Sequence, residues 1–276
     1  MLRTCPLPAH HTKHAISLSY PFRNSSFILN QRDDGKNNGT ALWLGAQCLS
    51  AFLAAHHQPK PHQKVIELGS GIGLTALTLA AQGWDVLATD IQDVIASVLK
   101  ANIERNSAAL PADAGSVRVR ELDWTVPPDQ WVWDHPTRVA SPAAAVSDSD
   151  PEHTFGPPFD LIVSADTIYI QELVEPLLRT LHTLSLLSLN ASNSSRGPIV
   201  YICLERRDPG LVDRVLSDAQ HIWAFDVELV SRKKLLKAME KAGLHWERHE
   251  WDDVELWKLR LSQNKLDLRK KVIAVV

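Results

Sequence analysis

The stretch Val65-Ile66-Glu67-Leu68-Gly69-Ser70-Gly71-Ile72-Gly73-Leu74 decides the fold. An apolar run closes on a carboxylate, glycines follow at every second position, and an apolar helical pattern starts at Leu74. That order predicts a buried strand, a tight turn and a helix N-terminus. Glycine adopts positive φ and lets a ligand approach the backbone closely. The first N–H groups of a helix have no partner within it and favour polar or anionic ligand atoms. A nucleotide-like ligand is therefore expected at this loop. In the dinucleotide fingerprint G-x-G-x-x-G the third glycine follows the first by five positions. Here that position is Leu74, and the third glycine is Gly73, which gives E-x-G-x-G-x-G. No Gly-Lys-Ser/Thr follows, which argues against a phosphate-gripping P-loop.

Outward from the loop, strand and helix patterns alternate. Trp84–Asp90 reads as a second strand ending on a carboxylate, Val94–Asn106 as a helix, and Val117–Leu122 as a third strand. Phe159–Ala165 reads as a buried strand, Leu173–Leu187 as a helix, and Ile199–Leu204 as a further strand. Leu211–His221 and Ser231–Ala242 read as helices, and His245–Trp251 with Val254–Leu261 as a terminal hairpin about Asp252-Asp253. Upstream, Ala41–His56 is apolar at helical spacing, and Ile16–Tyr20 alternates like a short edge strand. Repeated βα units predict an α/β fold, a parallel sheet with helices on both faces, closed by an antiparallel hairpin. Residues 1–38 read as an N-terminal arm and 39–276 as one domain. Its 125–158 stretch, with seven prolines, is expected to be a flexible insertion.

At 276 residues and net charge −3, the chain has no overall basic bias to attract nucleic acid. No apolar run approaches the roughly 18 residues of a membrane span. Cys5, Cys48 and Cys203 are far apart, which suits a reducing compartment, cytoplasmic and nuclear alike. His10, His11 and His14, and also His56, His57 and His62, cluster without acidic or cysteine companions in sequence, so no metal is expected.

In open α/β sheets ligands bind beyond the carboxyl ends of the strands. Asp90 stands there and can accept both hydroxyls of a ribose; the alternative is capping of the next helix. E-x-G-x-G-x-G resembles motif I of the S-adenosylmethionine-dependent, seven-stranded methyltransferases, a Rossmann-like class. Asp166-Thr167-Ile168-Tyr169, at the end of a buried strand, resembles the D-x-x-Y motif of the methyltransferase-like protein-lysine methyltransferases. Gly39-Thr40-Ala41-Leu42-Trp43, Glu121-Leu122-Asp123-Trp124 and Val254–Leu259 resemble further segments of that family, so the resemblance spans residues 39–261.

It implies S-adenosyl-L-methionine as cofactor and a protein as substrate, acted on by a monomer. Cofactor contacts are implied at Trp43, Glu67, Gly69, Ser70, Gly71, Gly73, Asp90, Ile91, Asp123, Trp124 and Ala165. Glu67 is expected at the cofactor's amino group, Trp124 on the adenine face and Asp123 at its exocyclic amine. Asp166 would aim the acceptor amine and Tyr169 would wall its channel. The alternatives are a rim tryptophan at Trp124 and helix capping with a packed tyrosine at Asp166 and Tyr169. Other functions open to the same fold are methylation of a small molecule or a nucleic-acid base, and a non-catalytic cofactor-binding scaffold.

Overall fold

A computed structural model describes residues 6–32, 38–143, 154–192 and 195–266. Cys5 and residues 144–153 of the proline-rich stretch lie outside them. Strands β1 (Ser17–Phe22) and β2 (Ser25–Asn30) form a two-stranded antiparallel sheet. The main sheet is built from β3 (Lys64–Leu68), β4 (Asp85–Asp90), β5 (Val117–Leu122), β6 (Arg138–Ala140), β7 (Leu161–Ala165), β8 (Ile199–Glu205), β9 (Phe225–Leu229) and β10 (Val254–Leu261). Its spatial order is β6-β5-β4-β3-β7-β8-β10-β9. The first six strands in that row run parallel, and β10 runs antiparallel to both β8 and β9.

β3 sits in the middle because it is apolar on both faces, as parallel strands covered by helices must be. Val65 packs with α1 (Leu44–His56) and α2 (Leu74–Ala80), while Ile66 and Leu68 face the opposite core with α5 (Val174–Ala191) and α6 (Pro209–His221). The first core also takes α7 (Arg232–Lys241) and a helix of three parts. That helix is α3 (Gln92–Val94), a π-helical stretch Ile95–Leu99, and α4 (Lys100–Ser107). α6 starts at Pro209, and the Asp208 carboxylate caps it by accepting from the Leu211 amide at 3.0 Å.

Three features depart from the sequence reading. The partner of β10 is β9, reached through α7, so the antiparallel pair is not a hairpin. His245–Trp251 instead holds a 3₁₀ turn, Arg248–Glu250. Trp251 is buried, with the Arg232 guanidinium 5.0 Å from its ring centroid, so the apolar residues that suggest a strand there serve packing off the sheet. Within the proline-rich stretch, β6 adds an eighth strand beside β5, and Arg120 donates to the Trp133 and Phe155 carbonyls at 2.8 and 3.2 Å.

The third departure is β2, which buries Phe27 and Leu29 in the first core, worth roughly 1.5–3 kcal/mol each. Its outer edge is closed by a helix. Asn106 Nδ2 donates to the Ile28 carbonyl at 2.9 Å while its Oδ1 accepts from the Ile28 amide at 2.8 Å. Asn102 treats Asn30 the same way, at 2.9 and 2.8 Å. Four helical residues rise about 6 Å and two strand residues about 6.6 Å, so side-chain amides at i and i+4 match alternate strand residues. Asn102 Nδ2 also donates to the Ile72 carbonyl at 2.9 Å, which ties this edge to the glycine loop.

Candidate active site

A cleft of about 240 Å³ opens at the carboxyl ends of β3, β4, β5 and β7. From β3 the strand order runs outward through β4 on one side and β7 on the other, the switch point at which such sheets bind ligands. Trp43, Glu67, Gly69, Ser70, Gly71, Asp90, Ile91, Asp123, Trp124, Ala165, Asp166 and Tyr169 all line it. Gly73 does not line the cleft. It precedes α2 at φ +89°, and a Cβ there would lie 3.0 Å from both Leu99 Cδ1 and Ile103 Cδ1. Its glycine serves the turn and the packing of the loop on α4.

The loop is tight because the chain crowds it. A Cβ on Gly69, at φ +71°, would lie 2.6 Å from Thr167 Cγ2 and 3.6 Å from the Trp124 ring. Three of the loop's amides are already used. Ser70 N donates to the Thr89 carbonyl at 2.9 Å, Gly73 N to the Ser70 carbonyl at 2.8 Å, and Gly71 N to Asp90 Oδ2 at 2.8 Å. These three amides are therefore not open to a ligand; the helix-start N–H groups expected from the sequence to favour polar or anionic atoms lie beyond them, from Leu74 on. Glu67, Asp90, Asp123 and Asp166 line the cleft with no lysine, arginine or histidine among the lining residues described. Such a site suits a cation and hydroxyl donors and disfavours a pyrophosphate.

The carboxylates differ. Glu67 is 1% exposed, and its Oε2 has no hydrogen-bond partner. Burial pushes it up to about 8, against a smaller opposing pull from the Ser70 hydroxyl and other polar neighbours. Asp90 is pushed up to about 6 by burial, opposed by the amides of Gly71 and Ile91, the latter 2.8 Å from Oδ1. Asp123 Oδ1 accepts from the Thr125 amide and hydroxyl at 2.9 and 2.6 Å.

Asp166 is held in the left-handed region at φ +55°. Its amide donates to the Cys203 carbonyl at 2.8 Å, and its Oδ1 accepts from the Glu205 amide at 3.1 Å. Oδ2 lies against the start of α1, where a Cβ on Gly45 would come within 2.5 Å of it. Burial pushes Asp166 up to about 6, opposed by the Glu205 amide, the Arg207 charge and the Gly45 amide. A left-handed non-glycine residue costs about 1–2 kcal/mol, and here it aims a carboxylate between a helix N-terminus and the cleft. Gly45 is a residue that sequence reasoning missed, although a glycine two residues into an apolar helix is a signal of close approach.

Tyr169 is 45% exposed at the cleft's mouth, and burial together with the Asp90 charge raises its phenol. Trp43 precedes α1 and donates from Nε1 to the Asn38 carbonyl at 2.7 Å. Lys13 Nζ and Arg207 Cζ lie 4.0 and 4.4 Å from the centroid of its ring. Arg207, which the sequence did not single out, also pairs with Glu205 and lines a neighbouring recess with Trp43, Asp166 and Tyr169.

A family model described as lysine methyltransferase matches residues 23–137. The protein N-lysine methyltransferase METTL21A of Danio rerio is 30% identical over 181 residues, 65% of this chain and 70% of that one. The chain belongs to the lysine methyltransferase family. The protein-lysine N-methyltransferase rrg1 of Schizosaccharomyces pombe is 37% identical over 92 residues, 33% of this chain and 30% of that one. The calmodulin-lysine N-methyltransferase of Arabidopsis thaliana is 26% identical over 237 residues, 85% of this chain and 60% of that one. The chain thus spans less than two thirds of the length of the fission yeast and Arabidopsis relatives. The matched segment carries Trp43, the glycine loop, Asp90 and Trp124, while Asp166 and Tyr169 come from beyond it. Among the described residues no helix is long and apolar enough to cross a membrane.

Proposed function

We propose that the chain is a protein-lysine N-methyltransferase that uses S-adenosyl-L-methionine. The observation that carries this reading is a cleft walled by four carboxylates, with no basic side chain among the described lining residues, in a chain of the lysine methyltransferase family. The cofactor, when bound, supplies an activated methyl group on a positively charged sulfur. The unpartnered Oε2 of Glu67 fits its ammonium group, and the Asp90 carboxylate fits its ribose hydroxyls. Trp124 would cover the adenine, with Asp123 at the exocyclic amine. Gly69, Ser70, Gly71, Ile91 and Ala165 would shape the floor, and Trp43 would close the side toward α1.

On the acceptor side, Asp166 and Tyr169 line both the cleft and the adjoining recess with Trp43. A lysine amine, ordinarily near pKa 10.4, must lose a proton before it can attack. Asp166 would accept a hydrogen bond from the amine and aim it, Tyr169 and Trp43 would exclude water around it, and the proton would pass to solvent. The rate would come mainly from holding two reactants in line. The substrate is a protein, the enzyme is a monomer, and the compartment is reducing, cytoplasmic or nuclear. Buried, free Cys48 and Cys203 support that compartment.

The test is incubation of the full chain and its Asp166→Ala variant with isotopically labelled S-adenosyl-L-methionine and a cell extract. Protease and nuclease digestion would follow, with mass spectrometry for methyl-lysine. Label on lysines of one or a few proteins, lost with Asp166→Ala, is expected. Label confined to nuclease-sensitive or low-mass material would overturn the choice of substrate. Cofactor binding without any transfer would indicate a scaffold.

A further inference from the structure

The histidines near the N-terminus have no acidic neighbour in sequence, but the fold supplies one. Ala9–His11 forms a 3₁₀ turn that sets the His10 and His11 rings 4.2 Å apart between centroids. His11 Nε2 stands 3.1 Å from Oε1 of Glu250, 239 residues along the chain. One ligand atom from each of His10, His11 and Glu250 lies within 4.8 Å of the others. We propose that these three side chains bind a zinc ion.

Two imidazole nitrogens and one carboxylate oxygen form a borderline donor set that suits Zn²⁺ and not Mg²⁺ or Ca²⁺. With bonds of about 2.1 Å, tetrahedral ligand atoms stand about 3.4 Å apart. The His11–Glu250 pair is already near that spacing, and His10 needs only a side-chain adjustment. The carboxylate is oriented from behind. Glu250 Oε2 accepts from the Glu247 amide at 2.8 Å in a capping box, which leaves Oε1 facing the histidines.

The histidine side is fixed as well. The Trp246 indole donates to the Pro6 carbonyl at 2.7 Å, Gln47 Nε2 to the Leu7 carbonyl at 2.9 Å, and the Thr12 hydroxyl to the Ala9 carbonyl at 3.0 Å. His10 and Glu250 also border a recess of about 290 Å³ that Trp43 and Lys13 share. Three protein ligands leave the fourth position to water. The ion would fasten the segment that carries Lys13 to the 247–250 turn, beside Trp43.

The test uses the tag-free full chain freed of metal by a chelator. Calorimetry with Zn²⁺ should show one site per chain, and Co²⁺ should give the visible absorption of a tetrahedral site that Zn²⁺ abolishes. His10→Ala and Glu250→Gln should each weaken binding by roughly tenfold or more, the loss brought even by removing an outer-shell partner. His14→Ala should bind as the wild type does. Glutamine keeps an acceptor for the Glu247 amide, so the turn survives in Glu250→Gln. Zinc should also slow amide exchange over residues 9–14. No stoichiometric binding, binding that survives Glu250→Gln, or unchanged exchange over the arm would each overturn the site.

Discussion

Replacing Glu67 by glutamine tests how the cleft receives a cation. With its carboxyl pushed up to about 8, roughly nine tenths of Glu67 carries a proton at pH 7, against about one tenth of Asp90 at about 6. An ammonium set beside Glu67 favours the charged form, so binding S-adenosyl-L-methionine at pH 7 should expel about 0.9 proton from this residue. Calorimetry in phosphate and in Tris, which differ in ionisation enthalpy, reads that number directly. Glu67→Gln should reduce it to about 0.1 or less.

The affinity change is smaller than intuition suggests. A charge-assisted hydrogen bond contributes about 1.5–3 kcal/mol, and taking the proton off at pH 7 costs about 1.4 kcal/mol. The net, about 0.1–1.6 kcal/mol, makes Glu67→Gln at most about 15-fold weaker. Ligand-free stability should change in the opposite sense. The folded state holds this proton more tightly than the unfolded state, so Glu67 stabilises fully below about pH 4.5, and that contribution fades as pH rises through about 8. Glu67→Gln should therefore gain on the wild type between pH 5 and 8, by up to about 1.4 kcal/mol per pH unit. Equal heats in the two buffers, or unchanged proton release in Glu67→Gln, would refute the reasoning.

Three further outcomes are expected. Gly45→Ala places a Cβ 2.5 Å from Asp166 Oδ2, so turnover should fall about tenfold, 1.4 kcal/mol in the barrier, with cofactor affinity unchanged by calorimetry; full turnover would show that α1 does not set the carboxylate. Asn102→Ala removes three hydrogen bonds and should cost about 2–4 kcal/mol in urea unfolding; a loss near zero would show that the helix does not hold β2. Gly71→Arg should abolish cofactor binding in a folded chain, whereas Gly73→Ala should cost about 1–2 kcal/mol of stability and spare binding. A Gly73→Ala chain that melts like the wild type but cannot bind would restore Gly73 to the cleft.

The βα repeat was legible because buried strands and amphipathic helices write different periods, and the carboxylates at strand ends marked the cleft. β9 was missed although Phe225, Val227 and Leu229 alternate with Asp226 and Glu228 in the period of an edge strand, because the signal is only five residues long between two longer helical patterns. The Trp246 and Trp251 pattern suggested a strand because burial off the sheet and burial on it leave the same apolar spacing. Every residue named from sequence for the site, Gly73 excepted, lines the cleft, but the electrostatics of these side chains were not legible. The glycine pattern pointed to a ligand at this loop, but it could not report that Asp90 takes up the Gly71 amide. Gly45 and Glu250 gain meaning only from partners far along the chain, which no local pattern reports.

The asparagine pair on α4 has a mechanical corollary. A one-residue slip of β2 would turn Phe27 and Leu29 outward and strand both amides without acceptors, so this little sheet can latch in a single alignment or not at all. Because the same Asn102 grips the Ile72 carbonyl, unlatching would be transmitted to the glycine turn at the cleft, and a lesion near residue 28 could silence a pocket it never touches.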